Sequence, residues 1–447
     1  MKHTILKKLF FLMTIFLVGG LFSNLYAQKD FYAYLFAYFK GEGLAQGEQI
    51  YFAVSKDGLH WTDLNEGNPV LVSTMGEKGL RDPFIMRSAD DEKFYVIATD
   101  LKIYGNGNWT AAQTTGSKSI MVWESNDLIN WSDQRMCQVA PEGAGCTWAP
   151  KAFYDEGSQN YVVFWASKIP NGDNTHRIYY CITKDFIQFS ETKVWSELRN
   201  QSGKVISEID ATVIKVGDTY YRFMKNEATE AHRQGMPSSG KYIIMEKSTS
   251  PLGNWEEVNT QLSQISGVEG PTCFKFNNED RWCLFIDDFG GKGYYPLIST
   301  DLSSGVFTQP DAGSYSLPSV MRHGSVVNLT RSEYYNLVSK YDPSLQIYAS
   351  INPGDKKQSL EGWGISLCWW ANMCGKWDDN KVNDLVDMLT SPDGLNYNIF
   401  RYNIGGGDDP SHINGHMCSG KGKRAEMDGF KPTEYSNYDW NADPGQR

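Results

Sequence analysis

Positive charge is what this 447-residue chain is short of: 42 Lys and Arg face 53 Asp and Glu, a formal net charge of −11. Gripping a phosphate backbone takes clustered cations, so the balance argues against a nucleic-acid partner. Long apolar runs are missing too. Beyond residue 22 no segment approaches the roughly 18 uninterrupted apolar residues that a membrane-spanning helix needs, so no membrane span is expected. The eight cysteines (137, 146, 181, 273, 283, 368, 374 and 418) include no CxxC and no Cys/His spacing that would hold zinc. Cys137 with Cys146, and Cys368 with Cys374, are the local pairs expected to join if any do. Helical periodicity is nearly absent between residues 30 and 340.

What is present begins with an export signal. Lys2, Lys7 and Lys8 precede the apolar run Leu9–Phe22, and Tyr26-Ala27-Gln28 offers a small residue for cleavage after Ala27. Residues 1–27 therefore read as a signal peptide and the mature chain as secreted or periplasmic. Aromatic residues make up 14% of the chain, enough to fill inter-sheet cores as well as to stack on sugar rings.

A short signature then recurs: 55-SKDGLHW, 125-SNDLINW, 183-TKDFIQF, 248-STSPLGNW and 299-STDLSSGVF. Each ends a β-like run with Ser or Thr and closes on an aromatic, at spacings of roughly 50 to 70 residues. A second series alternates with the first: 81-RDPFIMR, 148-WAPKAFY, 209-IDATVIK, 269-EGPTCFK and 322-RHGSVVN. The first four lead into hairpins whose return strands are FYVIATD, YVVFWAS, YYRFMKN and WCLFIDD. Five units of about four strands each predict a five-bladed β-propeller. A β-sandwich is the rival all-β fold, but it does not repeat in this way. Because the first signature precedes the first strand-start motif, the strands near 31-FYAYLFAYF and 50-IYFAVS are expected to complete the last blade and close the ring.

In a propeller the innermost strands line a central channel and their first residues crowd one opening. That places Asp82, the Trp148-Ala149-Pro150 group, Asp210, Glu269 and His323 around one pocket. Taken alone, Asp82 before Pro83 would cap an extended turn, and His323 would be a hydrogen-bonded core histidine. Asp287 and Asp288 read as a solvated turn, and Glu208 is expected to face away from the channel if Asp210 faces it. Converging carboxylates raise at least one pKa, an arrangement that glycosidic cleavage uses: an inverting hydrolase needs one carboxylate to activate water and one protonated carboxyl to donate to the leaving oxygen.

The ordered set RDPFI, WAP, IDATV, VEGP and RHGSV resembles glycoside hydrolase family 43 over roughly residues 30–340, within a propeller domain expected over 28–340. The resemblance implies a five-bladed propeller, an inverting mechanism, Asp82 as general base, Asp210 as the residue that adjusts the acid's pKa, and Glu269 as general acid. It implies that Arg81, Trp148, Arg322 and His323 line the substrate pocket. It also implies that His323 lies beside a water or a calcium ion in the channel, so that a structural calcium contacted through water stays open while no cofactor is required. The chain departs from many members at Lys151, where an acidic residue usually follows the Trp148-Ala149-Pro150 motif.

After a linker over 341–360 the pattern changes. The runs GWGISLCWWAN and FRYNIGGG, with EMDGFKP and YDWNADPGQR, resemble the opening of a family 30 hydrolase of the endo-β-1,6-galactanase type, a (β/α)8 barrel. Residues 361–447 are thus expected to form an incomplete, catalytically silent barrel, in which Arg401 matches a pocket arginine. The reading as a whole is a secreted glycosidase acting on oligo- or polysaccharide, α-L-arabinofuranosides of arabinogalactan first. β-Xylosides, galactofuranosides and β-galactosides are the alternatives on the same fold. A non-catalytic carbohydrate-binding propeller is the rival of another class, and a phosphorylase the rival enzyme.

Overall fold

The computed structural model describes residues 29–318, 320–345, 361–401 and 437. The export signal at 1–27, most of the 341–360 linker, and the runs EMDGFKP and YDWNADPGQR lie outside the described residues. The chain divides into two compact units, Met1–Ile347 and Tyr348–Arg447.

The first unit is a five-bladed propeller. Strands β1 (Phe31–Tyr38), β2 (Tyr51–Ser55) and β3 (Thr62–Asp63) wait for a partner from the far end of the unit. Blade one holds β4 (Leu80–Arg87), β5 (Phe94–Asp100), β6 (Ser119–Ser125) and β7 (Arg135–Gln138), with a short helix α1 (Trp109–Thr114) between β5 and β6. Blade two holds β8 (Trp148–Asp155), β9 (Asn160–Lys168), β10 (His176–Thr183) and β11 (Lys193–Ser196). Blade three holds β12 (Glu208–Val216), β13 (Thr219–Asn226), β14 (Ile243–Ser248) and β15 (Glu256–Glu257). Blade four has three strands, β16 (Val268–Lys275), β17 (Trp282–Asp288) and β18 (Gly293–Ser299), plus an isolated bridge from Ile298 to Thr308 where a fourth was expected. Then β19 (Gly324–Thr330) pairs antiparallel with β1, giving blade five the order β19-β1-β2-β3 and closing the ring as the repeat phase required.

The first repeated signature is a turn device. Ser55 Oγ accepts from the Gly58 amide, and Asp57 Oδ1 accepts from the Leu59 and His60 amides at 2.9 and 2.8 Å. Ser125 with Asp127, and Thr183 with Asp185, build the same turn. These aspartates end strands by satisfying backbone N–H groups, which is why the pattern repeats. The closing aromatics pack inward: Trp61 is buried and donates its indole N–H to Gly58 O.

Burial on both faces follows from stacking blade on blade. Five apolar clusters occupy the five blade interfaces, for example Ile97, Ile120, Trp165 and Tyr179 between blades one and two, and Phe36, Phe274, Phe285 and Tyr294 between four and five. Most of the aromatic surplus is spent there, within a non-directional packing that favours flat rings. Near-absence of helix has one sizeable exception: α2 (Arg331–Tyr341) starts at a Thr330/Glu333 capping box and buries Tyr334, Leu337 and Val338. The expected Cys137–Cys146 pair does not form; both are free thiols, Cys137 on β7 and Cys146 buried ahead of β8, and Cys374 is free as well.

In the second unit the parallel strands β20 (Gly364–Ser366) and β21 (Ile399–Arg401) are joined through α3 (Cys368–Cys374) and α4 (Asp379–Thr390), one right-length β/α crossover. Arg401 is exposed there. Among the described residues no helix is long and apolar enough to cross a membrane.

Candidate active site

Four inner strands carry the same irregularity at their start. Register slips between Arg81 and Phe84, Trp148 and Lys151, Ile209 and Thr212, and Glu269 and Thr272. At each bulge one residue is left-handed: Asp82 (φ 49°), Ala149 (48°), Asp210 (58°) and Gly270 (56°). Asp tolerates that region and Gly is free in it. Bulges re-aim side chains, and here they bring Asp82, Asp210 and Glu269 to one pocket of about 340 Å³, together with Arg81, Trp148, Arg322 and His323.

His323 organises the carboxyls. Its Nδ1 lies 3.0 Å from Asp82 Oδ1, and its Nε2 lies 3.4 Å from Glu269 Oε1 and 3.9 Å from Asp210 Oδ2. Asp82 and Glu269 thus flank a single imidazole, which keeps those two oxygens at most about 9 Å apart, under the upper limit of the inverting range. Thr99 Oγ1 donates to Asp82 Oδ2 at 2.9 Å while accepting from the Ala149 amide. Gly270 is required twice over, by its φ and because a Cβ would fall 2.1 Å from His323 Cδ2.

The charges divide unevenly. Burial opposes ionisation of Asp82, but His323 and Arg81 hold its pKa below the usual range. Burial pushes Asp210 up to about 6, and neighbouring Glu269 adds to the rise. Glu269 goes the other way. Its burial is overcome by Lys225 Nζ at 2.7 Å, by His323 and by Arg322 Nη2 at 3.0 Å, and its pKa is held well below that of an ordinary glutamate. In the free site the cations that touch Glu269 favour its ionised form, while burial favours a proton on Asp210, which is shared only below about pH 6. His323 itself, despite burial, is raised to about 10 by Asp210, Asp82 and Glu269, so it is an imidazolium at neutral pH.

Several contributors escaped the sequence reading. Asp287, taken for a solvated turn, is fully buried and accepts from Arg322 Nε at 2.5 Å. Lys225 bridges Glu269 and Glu227, at 2.7 Å to each. Both stand opposite the bulges in the β-ladder, Asp287 across from Glu269 and Lys225 across from Ile209. Polar residues closing otherwise apolar return strands (ATD, MKN, IDD) were the available signal. Trp109 and Gln113 on α1 add a wall, and Arg81 is clamped by Glu42 and Glu48 at 2.9 Å with its guanidinium over the Phe39 and Trp109 rings. Glu208 lies off the pocket, buried against Ser196 with its pKa raised by burial to about 7.

Asp210, Glu269 and His323 bring ligand atoms within 4.8 Å of one another. A calcium ion asks for six to eight oxygens, so one held here would take most of its shell from water. The channel also holds a cation of its own: the Lys151 ammonium is buried, donates to Pro271 O at 2.7 Å and Thr272 Oγ1 at 3.1 Å, and feels Asp210 and Asp82.

The model of a domain described as "Probable glycosyl hydrolase domain", related to glycoside hydrolase family 43, matches residues 29–335. The chain belongs to this family. The motifs RDPFI, IDATV and VEGP lie within the matched residues and form three of the bulges just described. A similar curated protein is an α-L-arabinofuranosidase of Bifidobacterium longum subsp. longum, 30% identical over 351 residues, covering 64% of this chain and 32% of that protein. A second is an endo-β-1,6-galactanase of Hypocrea rufa, 34% identical over 112 residues, covering 22% of this chain and 23% of that protein. The chain thus spans about a third or less of the length of these curated relatives. Among solved structures it is similar to an α-L-arabinanase of Cellvibrio cellulosa complexed with arabinohexaose, at 14% identity and TM-score 0.43, covering 65% of this chain and 94% of that one.

Proposed function

We propose that this family 43 domain is an exported inverting glycosidase that removes terminal α-L-arabinofuranosyl groups from arabinogalactan side chains. The observation that supports the reaction type is the presence of Asp82 and Glu269 on either side of His323, two carboxyls facing one pocket as an inverting pair requires. Asp82, held ionised, takes a proton from that water as its oxygen attacks the anomeric carbon. Glu269 gives a proton to the departing glycosidic oxygen, so the bond cleaves to an inverted hemiacetal and a free alcohol. The pair Asp210/Glu269 carries one proton below about pH 6, stored on Asp210 in the free site. Sugar hydroxyls that draw the Lys225 and Arg322 donors onto themselves release Glu269 from its cations and raise its proton affinity when the substrate is in place. The arabinofuranosyl choice is supported by the Bifidobacterium relative, and the arabinogalactan choice by the galactanase-like C-terminal segment.

The test is a panel of aryl glycosides and branched arabinogalactan, with Asp82→Asn and Glu269→Gln alongside wild type. Turnover of the arabinofuranoside, with inversion seen by NMR and loss of about 10²–10⁴ in either variant on the glycan, supports the reading. Binding without turnover in wild type would leave the carbohydrate-binding propeller in its place.

A further inference from the structure

A second cavity, of about 450 Å³, adjoins the catalytic pocket and shares Phe289 and Arg322 with it. Its walls are the turn between β17 and β18, bearing Asp288, Phe289 and Lys292, and the segment that leads into blade five, bearing Tyr315 and Val320. Phe289 is 44% and Val320 58% exposed, so two apolar side chains face solvent on the rim of one cavity. Polar groups are interleaved: Asp288 Oδ2 accepts from the Lys292 amide, and Lys292 Nζ sits 3.5 Å above the Tyr295 ring, 3.4 Å from Gln309 Oε1. Exposed ring faces with convergent donors and acceptors are the chemistry that receives a neutral pyranose, by stacking on its C–H face and bonding its hydroxyls.

The side of the site on which this cavity lies decides which sugar it takes. Glu269 and the β17–β18 turn belong to the same blade, and Arg322 reaches from Glu269 Oε1 to Asp287 Oδ2 on that side. Asp82 comes from blade one. Since the general acid faces the leaving oxygen, the departing part of the substrate extends toward Glu269 and not toward Asp82. We infer that the cavity lined by Asp288, Phe289, Lys292, Tyr315 and Val320 is the binding site for the leaving group, a run of neutral β-linked hexopyranose units such as a galactan backbone. The assignment of sides rests on the roles proposed above for Asp82 and Glu269.

The experiment uses the full chain. Binding of β-1,6-galactobiose is titrated calorimetrically, and kcat/KM is compared between a 4-nitrophenyl arabinofuranoside and an arabinofuranosylated galacto-oligosaccharide. Variants are Lys292→Ala, Tyr315→Ala, and Val320→Glu, the last placing a charge at an exposed rim position where folding is not at stake. Each should weaken galactobiose binding about tenfold, the equivalent of one lost stacking or hydrogen-bonding contact. Each should also lower kcat/KM on the oligosaccharide at least fivefold more than on the aryl glycoside. No galactobiose binding to wild type, or equal losses on both substrates, overturns the inference. If no glycoside is turned over, the proposed reaction fails, while galactobiose binding and its loss in Val320→Glu still decide the cavity.

Discussion

Glu269 is surrounded by Lys225, Arg322 and His323, whereas Asp210 has only a Gly270 amide at 3.1 Å and the more distant imidazole. This asymmetry sets a pH dependence. The productive free enzyme needs the proton that Asp210 holds, with Asp210 raised to about 6, so kcat/KM should fall as pH rises through about 6. Asp210→Asn should abolish that limb and lower kcat, and a pH-rate profile of both proteins checks it. His323 makes a separate prediction. Its pKa is raised in the fold from the ordinary 6.5 to about 10, so its stabilising contribution is complete below pH 6.5 and is lost as pH rises through about 10. The gap in Tm between wild type and His323→Gln should therefore be widest near pH 6 and at least halve by pH 10; a gap that is flat or widens contradicts the imidazolium. Lys151 is the third residue with a consequence. With an ammonium already buried in the channel, EDTA dialysis should leave kcat/KM within about twofold, whereas Lys151→Met, which removes the buried charge that Asp210 and Asp82 feel and the donor to Pro271 O and Thr272 Oγ1, should cost about tenfold or more. A chelator effect reversed by added calcium sinks this account.

At the scale of elements, the bulges explain what could be read beforehand. The five strand starts and the turn signatures were legible because each is repeated, and a repeat exposes a constraint that one copy hides. Ser55, Asp57 and Trp61 recur in kind at Ser125 with Asp127 and Thr183 with Asp185 because the third strand of these blades ends in the same amide-capping turn. The positions of Asp82, Asp210 and Glu269 were legible for the same reason. Their electrostatics were not, because Lys225 and Asp287 enter through ladder register, and register is set by side-chain faces of strands distant in sequence. Nor was α2, whose Arg331–Tyr341 stretch has little amphipathic contrast and is held by its capping box and by Arg87, which donates to both oxygens of Glu333. The bulges themselves are testable. Ala149 is left-handed at φ 48° without the local hydrogen bonding that Asp supplies. Ala149→Gly should therefore stabilise the protein by about 1 kcal/mol in urea unfolding, reversing the usual penalty for glycine in a strand. Gly270→Ala should do the reverse, losing about 3 kcal/mol and most activity, since its Cβ must displace the His323 ring. Similar effects at the two positions would show that strain is not what distinguishes them.

At the scale of the whole molecule, closure of the ring couples to the chemistry. Blade five is assembled from both ends of the propeller, β19 pairing with β1 from Phe31–Thr330 through Tyr38–Gly324. Arg322 and His323 stand immediately before β19, so the seam also positions two pocket residues. Phe36 sits at the centre of this seam, fully buried, with its ring 5.1 Å from Trp61, 5.4 Å from Phe285 and 5.9 Å from Tyr294. Tyr294 in turn donates its hydroxyl to Gly270 O, the carbonyl of the bulge that aims Glu269. Phe36→Ala removes a large side chain from a packed interface, and such truncations cost about 3–5 kcal/mol. A purely structural seam would lower the urea midpoint and leave kcat of the folded fraction untouched. A seam that also supports the bulge lowers kcat as well, because a Tyr294 ring free to shift no longer fixes the Gly270 carbonyl. Measured together on one preparation, the midpoint and the active-site-normalised kcat should both fall, and conservative replacement by Phe36→Leu should restore kcat more fully than stability. If kcat stays at the wild-type value while the midpoint drops, the seam closes the ring without reaching Glu269.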